Sequence, residues 1–111
     1  MAYDEDLAYR LRDLTAPEPG VSEQKMFGGL AFLINGHMAV AASREGGLLL
    51  RVDPAETEAL LGERHAEPFE MRGRAMAGWL RIDPAGVQSE DDLERWVAIG
   101  VGYAKALPPK R

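Results

Sequence analysis

Cysteine is absent from the 111 residues. That one absence excludes disulfides, thiolate catalysis, Cys-ligated zinc and iron–sulfur clusters together. Histidine is nearly as scarce: His37 and His65 fall in different segments, with neither the i, i+4 pair of a zinc-binding helix nor a thiolate to complete a site. No metal or cofactor is expected. No apolar run approaches the roughly 20 residues of a membrane span, and the opening Tyr3-Asp4-Glu5-Asp6 is acidic where a secretory signal would be basic and then apolar. The expectation is a cytoplasmic protein with no membrane segment. Positive charge is also in deficit. A net charge of −5 argues against holding DNA or RNA by counterion release, which needs a basic face. Arg72, Arg74, Lys105, Lys110 and Arg111 are the only sources of a local basic patch, and ordinary solvated charge accounts for them.

What is present suffices for one core. With 46% hydrophobic and 28% charged residues, the chain reads as a single domain over residues 1–111, ordered from about 4 to 106, with no repeat and no linker. Leu7, Leu11 and Leu14 recur at helical spacing between Asp4 and Leu14, and Asp6 stands four residues before Arg10 in the favourable acid-first order. Pro17, Pro19 and Gly20 end that helix. Val21 to Ile34 is strand-like but interrupted by Gly28-Gly29, which predicts one bent strand or two short ones with the glycines at a bulge. Asn35-Gly36 predicts a two-residue hairpin turn, and His37 to Ala42 the return strand, with His37 at its edge. Leu48 to Val52, after a polar turn over Ser43 to Gly47, reads as a central strand buried on both faces.

Asp53-Pro54-Ala55-Glu56 has the order of a helix start, predicting a short helix to Leu61 that stops at Gly62. Pro68 to Met71 and Gly78 to Ile82 read as two more strands around a connection from Gly73 to Ala77. Ser89, three residues before Asp92, caps a last helix whose apolar stripe is Leu93, Trp96, Val97, Gly100 and Ala104. Gly100 and Ala104 suit close packing against another backbone, whereas nothing in the sequence explains Gly102. The fold class is therefore α+β: two layers, an antiparallel sheet of about five strands with helices, in the order α-β-β-β-α-β-β-α.

The inventory for chemistry is thin. Ser22, Ser43 and Ser89 lack the glycine-flanked elbow of a hydrolase nucleophile. Gly73 to Gly78 has the glycine spacing of a phosphate loop, but Trp79-Leu80 stands where Lys-Ser or Lys-Thr belongs and a strand follows instead of a helix. Asp53 and Asp83 each precede proline, as cap and turn residues do. No catalytic residue is assigned. Two segments suit a contact surface. Met26-Phe27-Gly28-Gly29 sets large side chains beside two residues with none, although Phe27 as core and the glycines as a bulge is the simpler explanation. Arg72-Gly73-Arg74, with Met76 and Trp79, joins arginine, methionine and an aromatic to glycine freedom, as interfaces do, and also suits a hairpin tip.

Taken in order, Met26-Phe27-Gly28-Gly29, Gly47-Leu48-Leu49-Leu50-Arg51-Val52-Asp53, Pro68-Phe69-Glu70-Met71-Arg72-Gly73-Arg74 and Leu93 to Trp96 resemble the N-terminal domain of the TfoX/Sxy competence-regulator family, over about Leu7 to Ala104. The resemblance implies a bacterial cytosolic protein whose fold runs helix, three antiparallel strands, helix, two strands, helix, with Val21 to Ile34 as one bent strand. Two-domain members are associated with switching on DNA-uptake genes as co-activators beside the cyclic-AMP receptor protein. This chain stops at Arg111, after the first domain, and so reads as a single-domain member. It also departs from the family in keeping one basic residue, Lys25, before Met-Phe-Gly-Gly, and in carrying Leu49 at a common aromatic position. The resemblance brings no catalytic residues to transfer.

The functional expectation is a non-catalytic protein-interaction domain, a transcription co-regulator that binds a transcription regulator, a polymerase component or its own copy as a homodimer. The alternative is a small-ligand sensor or enzyme using a cleft between sheet and helices, with Arg51, Arg72, Arg74 and Arg81 supplying charge for an anion.

Overall fold

The computed structural model describes residues 3–26 and 28–108. Helix α1 (Glu5–Thr15) starts where the Asp4 carboxylate accepts from the Leu7 N–H, and buries Leu7 and Leu11. Arg10 does not pair with Asp6. Its guanidinium reaches Glu90 at 3.1 Å in a distant segment, because a tertiary partner is available on the side of the helix that Arg10 faces.

Four strands follow: β1 (Val21–Met26), β2 (Gly29–Ile34), β3 (His37–Ala42) and β4 (Leu48–Arg51). A short 3₁₀ turn at Pro54–Glu56, capped by Asp53, leads into α2 (Thr57–Leu61). Then come β5 (Ala66–Met71), β6 (Arg74–Ile82), a second 3₁₀ turn at Pro84–Val87 capped by Asp83, and α3 (Glu90–Ala106), whose Ser89 hydroxyl accepts from the Asp92 N–H. One antiparallel sheet results, in the order β1-β2-β3-β4-β6-β5.

The sheet has six strands where about five were expected. Gly28 and Gly29 are the reason. Met26 pairs with Gly29, so the chain reverses there and Val21 to Ile34 is two short strands, the second of the two readings, with the glycines at a hairpin turn and not at a bulge. The bulge lies elsewhere. Phe32 faces Val40 and Leu33 faces Met38, which leaves Ala39 as the extra residue in β3. Gly100 packs onto that irregularity, where a Cβ would stand 2.6 Å from the Ala39 carbonyl oxygen, so the small-residue stripe of α3 has its predicted purpose. Gly102 faces open space, and the structure offers no reason for it.

The helices share one face of the sheet. Leu30, Phe32, Ile34, Val40, Leu48, Leu50, Leu80 and Ile82 meet Leu7 and Leu11 from α1 and Leu93, Trp96, Val97 and Val101 from α3, with Leu60 and Leu61 of α2 at the margin. The other face carries a smaller cluster of Ala31, Leu33, Met38, Ala41 and Leu49, flanked by Met26, Phe69 and Trp79, and no helix residue belongs to it. As a result β2 and β3 are buried along their whole length. His37, expected at the strand edge, is buried at the start of β3 with its Nε2 against the Pro108 carbonyl oxygen.

Candidate interaction surface

Beyond Pro68 the β5–β6 hairpin leaves the sheet. Met71 faces Arg74 and Glu70 faces Ala75, but the next pairing is Pro68 with Leu80, so Met76 to Trp79 stand opposite Phe69 alone, while Trp79 stays paired with Arg51 of β4. Residues 70–77 are exposed on both faces, and Arg74 to Ala77 belong to β6 instead of the connection expected there. The turn is only Arg72-Gly73, with φ of +54° and +78°. Positive φ at both central residues is the backbone of a two-residue hairpin turn, and Asn35-Gly36 does the same at +53° and +87°. Asparagine advertises that geometry in a sequence, whereas arginine does not.

This ribbon is held at its base. Gly78 donates its N–H to the buried Thr57 hydroxyl at 2.8 Å, and its carbonyl accepts from the Val52 N–H at 2.8 Å. Its φ of +89° turns the chain out of the sheet. Beside it Trp79 contacts Phe69, ring centroids 6.1 Å apart, and carries the Arg51 guanidinium at 5.6 Å; Arg51 also lies 5.8 Å from the Tyr103 ring. Trp79 is thus an anchor. Past it, Met71 and Met76 project as exposed apolar side chains, and Met76, Ala75 and Trp79 border a groove of about 290 Å³ against Pro54, Thr57 and Leu61 of the α2 segment.

The second predicted patch is on a different hairpin. Met26, Gly28 and Gly29 sit at the β1–β2 turn, while Phe27 lies outside the described residues. Met26 and Gly29 border a concavity of about 630 Å³ on the helix-free face, with Phe69 and Glu70 also among its walls. Arg72, Gly73, Arg74 and Met76 do not line it. The structure therefore groups Arg72, Gly73, Arg74 and Met76 on one ribbon with Trp79 at its root, and leaves Met26, Gly28 and Gly29 apart.

Chemistry finds little to gather around. Arg81 in the concavity is taken by Glu45 at 3.3 Å and Glu67 at 3.8 Å. With Arg51 stacked and Arg72 and Arg74 on the ribbon, the four arginines of the anion-binding reading do not converge. His65 Nδ1 stands 3.0 Å from Asp83 Oδ1. The hydrogen bond from His65 is the largest influence holding the Asp83 carboxyl below its ordinary value, helped by the Gly86 N–H that Asp83 caps. Among the described residues no group of three or more His, Asp or Glu side chains is placed to hold a metal ion.

Three features escaped the sequence: the bulge at Ala39, the Arg51–Trp79–Tyr103 stack and the concavity. Only the stack left a trace, in an arginine that ends a run of three buried leucines.

The family model of the TfoX N-terminal domain matches residues 13–104. No curated protein and no solved structure matches the chain. No helix is long and apolar enough to cross a membrane among the described residues.

Proposed function

We propose that this chain, which belongs to the TfoX N-terminal domain family, is a non-catalytic protein-interaction domain that acts in the cytoplasm as a transcription co-regulator. Its partner is a transcription regulator or a polymerase component. The observation that carries the reading is the β5–β6 ribbon: residues 70–77 are exposed on both faces, yet rooted by the Gly78 hydrogen bonds and the Trp79 stack. Arginine, methionine and small residues on a braced projection give a partner charge, apolar area and room for its backbone. An acidic chain with a local arginine tip suits an acidic protein surface better than a nucleic acid, whose whole backbone repels the remaining charge.

Affinity capture from native lysate tests it. Recovery of a polymerase subunit or a DNA-binding regulator by the unaltered chain, and its loss with Arg72→Glu at unchanged melting temperature, is the expected result. Recovery of neither across growth states would count against the reading.

The concavity on the helix-free face, and not the expected cleft between sheet and helices, supports a second reading, a small-ligand sensor. With Arg81 held by Glu45 and Glu67, and with Arg44 and Glu70 of opposite sign on its walls, the ligand it favours is neutral or zwitterionic. Saturable thermal stabilisation by one metabolite would support this reading.

A further inference from the structure

The two edges of the sheet are not equally protected. β5 carries Pro68, which has no N–H to offer an added strand, and its register breaks between Pro68 and Glu70. β1 has neither device. It pairs with β2 without a break from Val21 to Met26, and Ser22 to Lys25 are exposed. The direction of its free backbone groups follows from one bond, the Asn35 N–H to the Gly20 carbonyl at 3.0 Å. Alternate residues of an antiparallel strand face the same neighbour, so Gly20, Ser22, Gln24 and Met26 turn their groups toward β2. Val21, Glu23 and Lys25 turn theirs outward.

We propose that this edge pairs with the same edge of a second copy, antiparallel about Gln24, so that Glu23 of each chain lies opposite Lys25 of the other. The phase of the free groups permits only registers that set outward residues against outward residues. Centring on Glu23 would oppose glutamate to glutamate, and centring on Lys25 would oppose lysine to lysine. Centring on Gln24 opposes unlike charges twice, and directly facing charges decide register in antiparallel pairs. Glu23 and Lys25 both lie on the helix side, opposite Phe32 and Leu30. There Arg12 already holds Glu23 at 2.6 and 2.9 Å, so the partner's Lys25 completes a row of alternating charge. Lys25 has no ion pair of its own among the described residues.

Two neighbours of the edge point the same way. Tyr9 on α1 is 67% exposed and lies 5.9 Å under the Arg12 guanidinium. Between α1 and β1 runs a groove of about 390 Å³, bordered by Thr15, Ala16, Val21 and Ser22, which an added strand would roof. Six residues of strand bury far less than the roughly 1,600 Å² of a standard interface, so the dimer is concentration-dependent.

Sedimentation of the purified protein tests this, and needs no other partner. The unaltered chain shifts from monomer to dimer as concentration rises. Lys25→Glu and Glu23→Lys, each monomeric and folded by circular dichroism, form a heterodimer when mixed, because their edges are then complementary. Gln24→Cys, in a chain with no other cysteine, gives a disulfide-linked dimer on mild oxidation, since the facing Cα atoms of a non-hydrogen-bonded pair stand at about 4.5 Å; Ser22→Cys does not. An unaltered chain that stays monomeric at millimolar concentration, or single charge variants that still self-associate, would overturn the proposal. Either result leaves the ribbon reading to be judged on its own capture experiment.

Discussion

The β2–β3 hairpin and the β5–β6 hairpin are built from the same parts, two short strands and a two-residue turn with positive φ at both positions, yet they have opposite fates. Every residue of β2 and β3 is buried, whereas residues 70–77 are exposed on both faces. The difference is in side chains. Gly-Leu-Ala-Phe-Leu-Ile and His-Met-Ala-Val-Ala-Ala can be covered on both sides at a gain of roughly 1.5–3 kcal/mol for each large residue buried. Glu-Met-Arg-Gly-Arg-Ala-Met-Ala cannot. A hairpin that folding does not need to cover is free to be used, and this division predicts that stability and recognition separate along the chain.

The strongest test of that division is at its centre. Leu50→Ala in β4, a fully buried contact of both α3 and its neighbouring strands, lowers unfolding free energy by about 2–5 kcal/mol in urea titration. Met76→Ala changes it by no more than about 0.5 kcal/mol. Equal losses from the two would erase the distinction. Thr57→Val probes the joint between the regions, since the Thr57 hydroxyl is the acceptor for the Gly78 N–H. It costs about 1–3 kcal/mol, and hydrogen exchange at the Gly78 amide accelerates before exchange in β3 does.

Smaller effects sharpen the boundary. Gly102→Ala, on the open side of α3 with nothing within 4 Å of the added methyl, raises stability by about 1 kcal/mol. A loss there would show that the helix has an undetected contact. Asp83, whose carboxyl His65 and the Gly86 N–H hold below the ordinary 3.8, contributes fully above that value. Its share is lost as pH falls through its lower folded value, because protonation removes the acceptor that the fold favours. Acid titration of the denaturation midpoint therefore falls less steeply in Asp83→Asn than in the unaltered chain.

Local punctuation was legible in the sequence. Asp53, Asp83 and Ser89 cap or turn where their spacing says, and Asn35-Gly36 makes its hairpin. Glycine was legible as a break but ambiguous as to kind. Gly28 closes a hairpin and not a bulge, and the clue was the contrast between polar Val21 to Met26 and the wholly apolar strand after it, which one bent strand could not place on a single face. The true bulge falls at Ala39, where no glycine marks it, because it answers to Gly100 in a remote helix. Arg74 to Ala77 read as a connection in the sequence because their pairing depends on a turn at Arg72-Gly73, and arginine carries no turn signal. The candidate surface was half legible. Arg72, Gly73, Arg74 and Met76 do share one element, but neither their projection from the sheet nor the distance of Met26 could be read without the strand order.

Recognition through the ribbon should be removable without touching the fold. The direct measurement is binding by Met76→Asp of the partner that affinity capture with the unaltered chain recovers, set beside the denaturation midpoint of the same preparation. Lost binding with an unchanged midpoint is the predicted result; undiminished binding, or a folded protein that instead turns over a substrate, would contradict it.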